Sequence, residues 1–523
     1  MLFVETLVIL LLASIALAWA ARRLAVPYPI ALVTGGAALG FVTRLPRFTL
    51  DPDLILVIVL PPILYQAALF TSWRDFKENL RAISLLAVGL VVATTLIAGG
   101  VLKWLLPEIP WPVAFAFGAI VSPPDAVAAT AVLSRVQVPR RIVTIVEGES
   151  LVNDASGLVL YKFAVAAAMA GSFSVMKASG EFVLVAAGGL LFGWLLGRLF
   201  VAVHTRLEDP LIEIMLAIAL PYSAYLAAEA LHVSGVLAVV TAGLVRARHA
   251  PEVFSAQSRI LAYSVWKVIV FLLNCLVFIL IGLQLAEIVE GITSYSLQQL
   301  LGYAVLLALV LVVVRFAWVY PGAYLPPVIG RAFGYCEGVP PWQQVAIVGW
   351  CGMRGIVSLA AALALPLTLP DGSPFPGRNV LIFLTFAAIF LTLVLPGLTL
   401  APIIQRLRLG SDGQTAEEER VAREATARAA LDEFAQLASR REISKTDERH
   451  LRREYEERLA PTGPLTIVHI TNNPLAKVRQ ALLAAERRRL IELWREGKIG
   501  DETLHRIERE LDLEETRLKN EGL

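Results

Sequence analysis

The sequence predicts an all-α polytopic membrane protein with about 13 spanning helices and a helical C-terminal domain. Hydrophobic residues make up 57% of the 523 residues, charged residues make up only 17%, and the mean hydropathy is +0.67. Soluble domains usually carry about 25% charged residues. Together with many apolar segments of spanning length, this composition excludes a soluble enzyme, a collagen-like or disordered chain, and a nucleic-acid-binding protein.

Charged residues divide the chain near residue 409. Residues 1–409 contain 45 charged residues, or 11%, whereas residues 410–523 contain 45 among 114, or 39%. We therefore predict a membrane domain over residues 1–409 and a solvated helical tail over residues 410–523. Their formal charges, +5 and −3, give neither part a surface for nucleic acid.

A helix that crosses the hydrocarbon core of a bilayer needs about 20 mostly apolar residues. The segments that qualify are residues 2–20, 28–43, 52–70, 82–106, 111–133, 141–170, 179–203, 210–230, 234–247, 258–288, 298–325, 342–366 and 379–405. The loops on one side of the membrane carry 15 Lys and Arg residues in total, and the loops on the opposite side carry 5. Basic loops stay in the cytoplasm, so we expect a plasma-membrane protein with its N-terminus outside and its tail in the cytoplasm.

The sixth segment carries ionisable residues at mid-depth, where they are costly and usually functional. Ser150 and Asp154 are four residues apart and share one helix face, with Glu147 one turn before them. Glu149 and Asn153 form a second pair beside this face. We expect the face to line a polar space, although a single buried Asp can also be a structural hydrogen-bonding group.

The fifth and twelfth segments each contain a point where a helix is expected to break. Pro123 and Pro124, followed by Asp125, leave carbonyls unpaired, and such carbonyls with a carboxylate suit a small hard cation. The twelfth segment has three glycines in seven residues around Arg354, which needs a buried anion, and Glu149 is the expected partner. Three other basic residues in segments are expected to reach the interface or to form ion pairs: Lys162, Lys267 and Arg315.

Each break falls in the fifth segment of a six-segment half, if segments 1–6 and 8–13 are the two halves. Matching interrupted helices in inverted halves indicate a transporter with a site at the membrane midplane. Each feature alone has a simpler explanation, because a proline is usually only a kink and glycines are common in membrane helices. In the tail, apolar residues at helical spacing predict two or three amphipathic helices, packed on one another or on a partner.

Three motifs resemble the cation:proton antiporter family of the NhaP and sodium–hydrogen exchanger type. They are SPPDAVAA over residues 122–129, EGESLVND over residues 147–154 and GWCGMRGI over residues 349–356. The likeness covers about residues 1–405. It implies a 13-span fold with inverted repeats, a homodimer, and transport by movement of a core domain.

The resemblance also implies a set of site residues. Asp154 is expected to be the carboxylate that takes either the cation or the proton, with Asp125, Ser150 and the carbonyl of Pro124 as further ligands. Pro124 is a departure, since many relatives have Thr there.

Supporting roles are implied for three neighbours. Glu149 is expected near the ion and paired to Arg354, and Asn153 marks the electroneutral branch of the family.

The expected function is exchange of a monovalent cation, with Na⁺ favoured over K⁺, for H⁺, with no cofactor beyond the transported ions. The partners expected are membrane lipid, a second copy of the chain and a ligand or self-contact of the tail. A passive cation channel gated by the tail and a non-transporting sensor stay open as alternatives. An enzyme is disfavoured, because residues 148–152 do not form a Gly-x-Ser-x-Gly turn.

Overall fold

The computed structural model describes residues 2–24, 26–42, 55–136, 138–170, 175–207, 209–290, 292, 295–332, 339–410, 413–439, 449, 453 and 473–520. Within these residues the protein is helical, apart from one antiparallel bridge between Thr368 and Pro374. Eight of the described helices are long and apolar enough to cross a membrane. The chain is therefore a membrane-spanning protein, and the full count of 13 spans stays a prediction.

The helices of the membrane region overlap all of the predicted segments. In chain order they are α1 (Leu2–Arg23), α2 (Tyr28–Val42), α3 (Leu60–Phe70), α4 (Trp73–Glu78), α5 (Leu80–Ser84), α6 (Val91–Leu105), α7 (Trp111–Val121), α8 (Ala126–Leu133), α9 (Arg140–Ala170), α10 (Val175–His204), α11 (Pro210–Ala230), α12 (Gly235–Val253), α13 (Ala256–Glu290), α14 (Leu297–Ala332), α15 (Trp342–Trp350), α16 (Ile356–Leu363) and α17 (Arg378–Arg406). Two π-helical stretches in the described residues, Ile55–Val59 and Leu85–Leu90, lead into α3 and α6.

The closest helix packing falls within two groups. Helices α5 to α9 and α14 to α17 form the first, here called the site group, and helices α1 to α3 and α10 to α13 form the second, the flanking group. Glycines let backbones touch inside each group, because a Cβ at Gly118 would overlap the carbonyl of Thr95 and one at Gly282 would overlap that of Val33. Fewer contacts join the two groups than lie within them.

Both predicted interruptions are present in the structure. Helix α7 ends at Val121 and α8 begins at Ala126, so the extended stretch between them contains both prolines. Helix α15 ends at Trp350 and α16 begins at Ile356, across the glycine-rich stretch. A proline cannot donate the backbone hydrogen bond that would continue the helix, which explains the first break.

The C-terminal residues form three described helices, α18 (Gln414–Ser439), α19 (Asn473–Arg495) and α20 (Asp501–Asn520). Their apolar faces pack on one another, with Leu490, Leu504 and Ile507 nearly or fully buried. Helix α20 also packs against α13 of the membrane region. The C-terminal helices therefore lie on the membrane region and are not free in solution.

Candidate functional site

The two interrupted segments meet, and each supplies partners for the backbone groups that the other leaves free. The backbone N–H of Asp125 donates to the carbonyl of Met353 at 2.7 Å. The guanidinium of Arg354 donates to the carbonyls of Val121 at 2.6 Å and Gly352 at 2.8 Å. Because buried backbone polar groups must be paired, these contacts fix the two breaks against each other.

Asp125 lies between the N-terminal ends of two helices. Its carboxylate accepts a hydrogen bond from the backbone N–H of Val127 at 2.8 Å, which caps α8, and another from the backbone of Ile356 at the start of α16. A Cβ at Gly355 would overlap this carboxylate, so only glycine fits there. Helix N-termini carry partial positive charge and favour an anion, so Asp125 is stabilised by the protein itself.

Asp154 faces a cavity of about 240 Å³ beside the breaks. Its side chain is 8% exposed, and no described residue donates a hydrogen bond to its carboxylate. Ser150 and Glu147 line the same cavity, so the polar face predicted for the sixth segment is confirmed. The hydroxyl of Ser150 accepts a hydrogen bond from the backbone N–H of Ala126 at 3.1 Å, joining α9 to the first break.

Asn153 contacts the first break but does not line the cavity. Its Nδ2 donates to the carbonyl of Pro124 at 3.0 Å, and its Oδ1 is buried with no partner among the described residues. A carbonyl oxygen has two acceptor positions, so Pro124 keeps one for another donor or a cation. Asn153 thus positions the carbonyl that the resemblance implies as a ligand.

The predicted ion pair between Glu149 and Arg354 is wrong. Glu149 instead pairs with Arg315 of α14 through two hydrogen bonds of 2.6 and 2.8 Å, and both side chains are almost fully buried. Arg315 also donates to the carbonyls of Val348 at 3.0 Å and Gly349 at 3.1 Å.

The physical reason for this correction is local. The two breaks give Arg354 one carbonyl acceptor each, so Arg354 needs no carboxylate, whereas Arg315 lies in the continuous helix α14. Gly352 leaves the room for Arg315, since a Cβ there would overlap the arginine side chain.

The cavity lining includes Asp125, Pro124, Ser150 and Asp154 from the predicted site residues. It does not include Glu149, Asn153 or Arg354, so the placement of Glu149 at the ion is also corrected. Sequence reasoning missed several polar lining residues: Gln66, Thr71, Thr130 and Ser358. Ser358 lies within one turn after the second break. This position beside the break was the sequence signal that could have identified it as a lining residue.

Within the described residues, no group of three or more His, Cys, Asp or Glu side chains is arranged to hold a metal ion. The cavity instead is lined by three carboxylate residues, Asp125, Glu147 and Asp154, together with hydroxyl side chains and Pro124, at the point where two interrupted helices meet. Such oxygen donors suit a hard cation in transit.

Comparisons with known proteins identify similar sequences and one similar fold. The family model described as "Sodium/hydrogen exchanger, transmembrane" matches residues 8–406. The chain is 39% identical over 407 residues to the "Sodium, potassium, lithium and rubidium/H(+) antiporter" of Bacillus pumilus, covering 75% of this chain and 60% of that protein. It is 32% identical over 460 residues to the "Na(+)/H(+) antiporter NhaS2" of Synechocystis sp., covering 87% of this chain and 81% of that protein.

A solved structure shares the fold. The sodium proton antiporter MjNhaP1 from Methanocaldococcus jannaschii matches with a TM-score of 0.62 at 20% identity, covering 78% of this chain and 99% of that chain. At this identity the likeness concerns the fold alone. Taken with the family model and the sequence relatives, it leads to one conclusion: the chain belongs to the sodium/hydrogen exchanger family, a family of membrane transporters.

Proposed function

We propose that this protein is a secondary active antiporter that exchanges Na⁺ for H⁺, one for one, with Asp154 binding each ion in turn. One observation carries the proposal: the Asp154 carboxylate is deeply placed, faces a cavity and receives no hydrogen bond from a described residue. The family membership and the names of the relatives support the same reaction.

The chemistry follows from the cost of a bare buried charge. An ionised carboxylate in a low-dielectric interior pays a large desolvation penalty unless it is neutralised. Asp154 can be neutralised by a proton or by a cation, but one site does not hold both, because the cation needs the deprotonated form. Exchange is obligatory if only the two neutralised forms can cross between the faces of the membrane.

Alternating access is proposed to arise from movement of the site group relative to the flanking group. The sparser packing between the groups supports this division. Asp154, Asp125 and Ser150 all belong to the site group, so the ion would move with its ligands. The fixed pair of Glu149 and Arg315 lies within the same group and holds it as one body.

Asp125, Ser150 and the carbonyl of Pro124 are proposed as further cation ligands. All lie at the cavity and offer oxygen, the donor atom that Na⁺ and K⁺ both take. The Bacillus pumilus relative is named for sodium, potassium, lithium and rubidium, so K⁺/H⁺ exchange by the same site is the second candidate.

The exchange is proposed to be electroneutral. Asn153 is an uncharged amide whose nitrogen is bound to the Pro124 carbonyl, and it adds no further negative charge beside Asp154. The fixed charges of the site, Asp125 included, are the same with either ion bound, so exchange of one cation for one proton moves no net charge across the membrane.

We further propose residence in the plasma membrane, with the N-terminus outside and the C-terminal helices in the cytoplasm. The 15-to-5 distribution of basic residues between the two sets of loops supports this orientation. Exposed apolar side chains on α10, such as Leu184, Leu191 and Leu199, suit lipid or a second copy of the chain in a homodimer.

The test uses the purified full chain in proteoliposomes with a pH-sensitive dye inside. An imposed gradient of Na⁺, K⁺ or Li⁺ is expected to move protons against their own gradient, at a rate that does not follow the membrane potential. Cation flux without proton movement would indicate a passive channel, and no flux at all would indicate a sensor. Either result would refute the proposed antiport.

A further inference from the structure

Four hydroxyl side chains line the cavity of Asp154: Thr71, Thr130, Ser150 and Ser358. Thr71 and Thr130 donate to carbonyls one turn earlier in the chain, at 2.7 and 2.9 Å. Ser150 accepts a hydrogen bond from the first backbone N–H of α8 at 3.1 Å. Ser358 differs from these three, because its Oγ is buried and has no hydrogen-bond partner among the residues that the structure describes.

The position of Ser358 in its helix explains why the usual partner is missing. A serine or threonine inside a helix commonly donates to a carbonyl three or four residues before it. Ser358 is the third residue of α16, so those carbonyls belong to Arg354 and Gly355 in the non-helical stretch after α15. Thr130 is the fifth residue of α8 and has the carbonyl of Ala126 within its own helix. The second break therefore removes the acceptor that a helix would give to Ser358.

A buried hydroxyl in this situation requires a partner from elsewhere. Ser358 is only 2% exposed, and buried polar groups in folded proteins are nearly always hydrogen-bonded. The cavity beside it measures about 240 Å³ and contains the Asp154 carboxylate, so it is both polar and large enough for a water molecule or an ion. The missing partner of Ser358 is therefore expected to come from the cavity.

We propose that Ser358 binds the transported cation directly, as a ligand from the second interrupted segment. This inference rests on the proposed function and adds a residue to its site. The lining residues described for this segment are residues 355–358, and Ser358 alone among them has a polar side chain. The ligands proposed above come from α9 and from the first break. A cation that also binds Ser358 contacts both interrupted segments and holds them together at their crossing.

The two loaded forms of the site use this hydroxyl differently. A hydroxyl offers two lone pairs and one hydrogen, and it rotates to suit its partner. With a cation bound, the lone pairs of Ser358 point to the ion. With a proton on Asp154, the charge is already cancelled by a covalent bond, and Ser358 needs only a water molecule. Loss of this hydroxyl therefore weakens the binding of the cation and leaves the binding of the proton to Asp154 in place.

The first arm of the test measures exchange by the full chain in proteoliposomes over a range of Na⁺ concentrations. In Ser358→Ala the half-saturating Na⁺ concentration is expected to rise about tenfold, because the ion loses one polar partner. The maximal rate is expected to stay within about twofold of the wild-type rate, as it does when only binding is weakened. An unchanged half-saturating concentration would show that Ser358 binds only water, and it would overturn the proposal.

The matched control for this arm is Ser156→Ala. Ser156 lies on α9, is 6% exposed and does not line the cavity, and its hydroxyl donates to the carbonyl of Val152 at 3.2 Å. Both variants lose one buried hydroxyl of the site group. The control is expected to keep the wild-type half-saturating Na⁺ concentration, and a rise equal to that of Ser358→Ala would overturn a direct role for Ser358.

The second arm measures Na⁺ binding without transport, as the melting temperature of the purified protein in detergent, with choline keeping the ionic strength constant. Without Na⁺, Ser358→Ala is expected to melt at the wild-type temperature or above, because no described residue loses a hydrogen bond. A ligand that binds the folded state raises its stability by mass action, so the variant should need about tenfold more Na⁺ for the same rise.

Two results of the second arm would overturn the proposal. One is a wild-type dependence of the melting temperature on Na⁺ in Ser358→Ala, and the other is a lower melting temperature without Na⁺, which would show a structural partner. If the wild-type protein performs no exchange, the proposed function fails, whereas the melting temperatures still decide whether Ser358 binds the cation. The two failures are therefore distinguishable.

Discussion

Two carboxylates five residues apart on α9 have opposite surroundings. Glu149 is bound by Arg315 through two hydrogen bonds and is 1% exposed. Asp154 faces a cavity and receives no hydrogen bond from a described residue. Both lie in the same helix of the same group, so the difference comes from the neighbours that each face of the helix meets.

This contrast shows how one membrane helix can carry a structural acid, Glu149, and an acid for transport, Asp154. An acid whose charge is cancelled by a fixed arginine has no reason to exchange ions. An acid without such a partner must take its neutralising charge from the solution. Proton and cation are the two available sources, so the lack of a protein partner is what makes Asp154 suitable for exchange.

Removing one member of the Glu149–Arg315 pair is expected to have the largest effect on the protein. Glu149→Gln leaves Arg315 buried without its counter-charge, and we expect a loss of about 3–5 kcal/mol in the free energy of unfolding. Thermal unfolding in detergent measures the loss as a lower melting temperature.

The matched control for that experiment is Glu229→Gln. Glu229 pairs with Lys162 at 2.9 Å, but the pair is largely exposed. We expect a loss of at most about 1 kcal/mol. Equal stability losses in the two variants would mean that the Glu149–Arg315 pair has no special structural role.

Adding an atom where the two interrupted segments meet should lower the transport rate more than it lowers the stability of the protein. Gly355→Ala places a methyl group on the Asp125 carboxylate, so we expect exchange to fall by about tenfold to a hundredfold, since small displacements at a reacting centre have effects of this size. Gly302→Ala, where a Cβ meets no atom within 4 Å, is the control and should exchange normally. Initial rates of dye response in proteoliposomes decide the comparison.

Adding a charge beside Asp154 tests the contrast between Glu149 and Asp154 in another way. Asn153→Asp removes the amide that donates to Pro124 and adds a second carboxylate. If the added charge travels with the ion, the exchange rate should rise or fall with the membrane potential, whereas the rate of the wild-type protein is expected to be independent of it. Rates measured at several potassium diffusion potentials test this, and a variant rate independent of potential would contradict it.

Lowering the pH is expected to have the smallest effect of these changes, and this effect concerns the contact between α20 and α13. Burial raises the pKa of Glu508, but His505, whose Nδ1 lies 3.6 Å from its carboxylate, and the positive charges of Arg259 and Arg487 together hold that pKa below its ordinary value of 4.5. A depressed pKa means that the stabilisation is complete above about 4.5 and is lost only as the pH falls below it.

Docking of α20 should therefore be unchanged between pH 6 and pH 9. Hydrogen exchange of the α20 amides measures this. Loss of protection within that range would show that another group, such as Asp512, Arg259 or His505 at the same contact, controls the docking.

The sequence allowed prediction of features that lie within one segment. Helical spacing placed Glu147, Ser150 and Asp154 on one face, and the prolines and glycines located both breaks. The partner of Glu149 could not be predicted, because the rotation and register of α14 against α9 leave no trace in the hydropathy of either segment. Free carbonyls at the two breaks, those of Val121 and Gly352, satisfy Arg354, and that outcome depends on how the two interrupted segments cross.

The docking of the C-terminal helices was hidden for a similar reason. Glu508 and Asp512 stand among many charges on an amphipathic helix, and nothing in their spacing separates a buried partner of Arg259 from a solvated acid. Only contact with α13 distinguishes them.

The most direct measurement of the central claim compares Asp154→Asn with the wild-type protein in proteoliposomes that contain a pH-sensitive dye. Because the amide binds neither a proton nor a cation by charge, sodium-driven proton efflux should fall to the level of empty vesicles. The melting temperature should stay near that of the wild type, because no described residue depends on Asp154 for a hydrogen bond. Proton efflux at the wild-type rate would contradict the account.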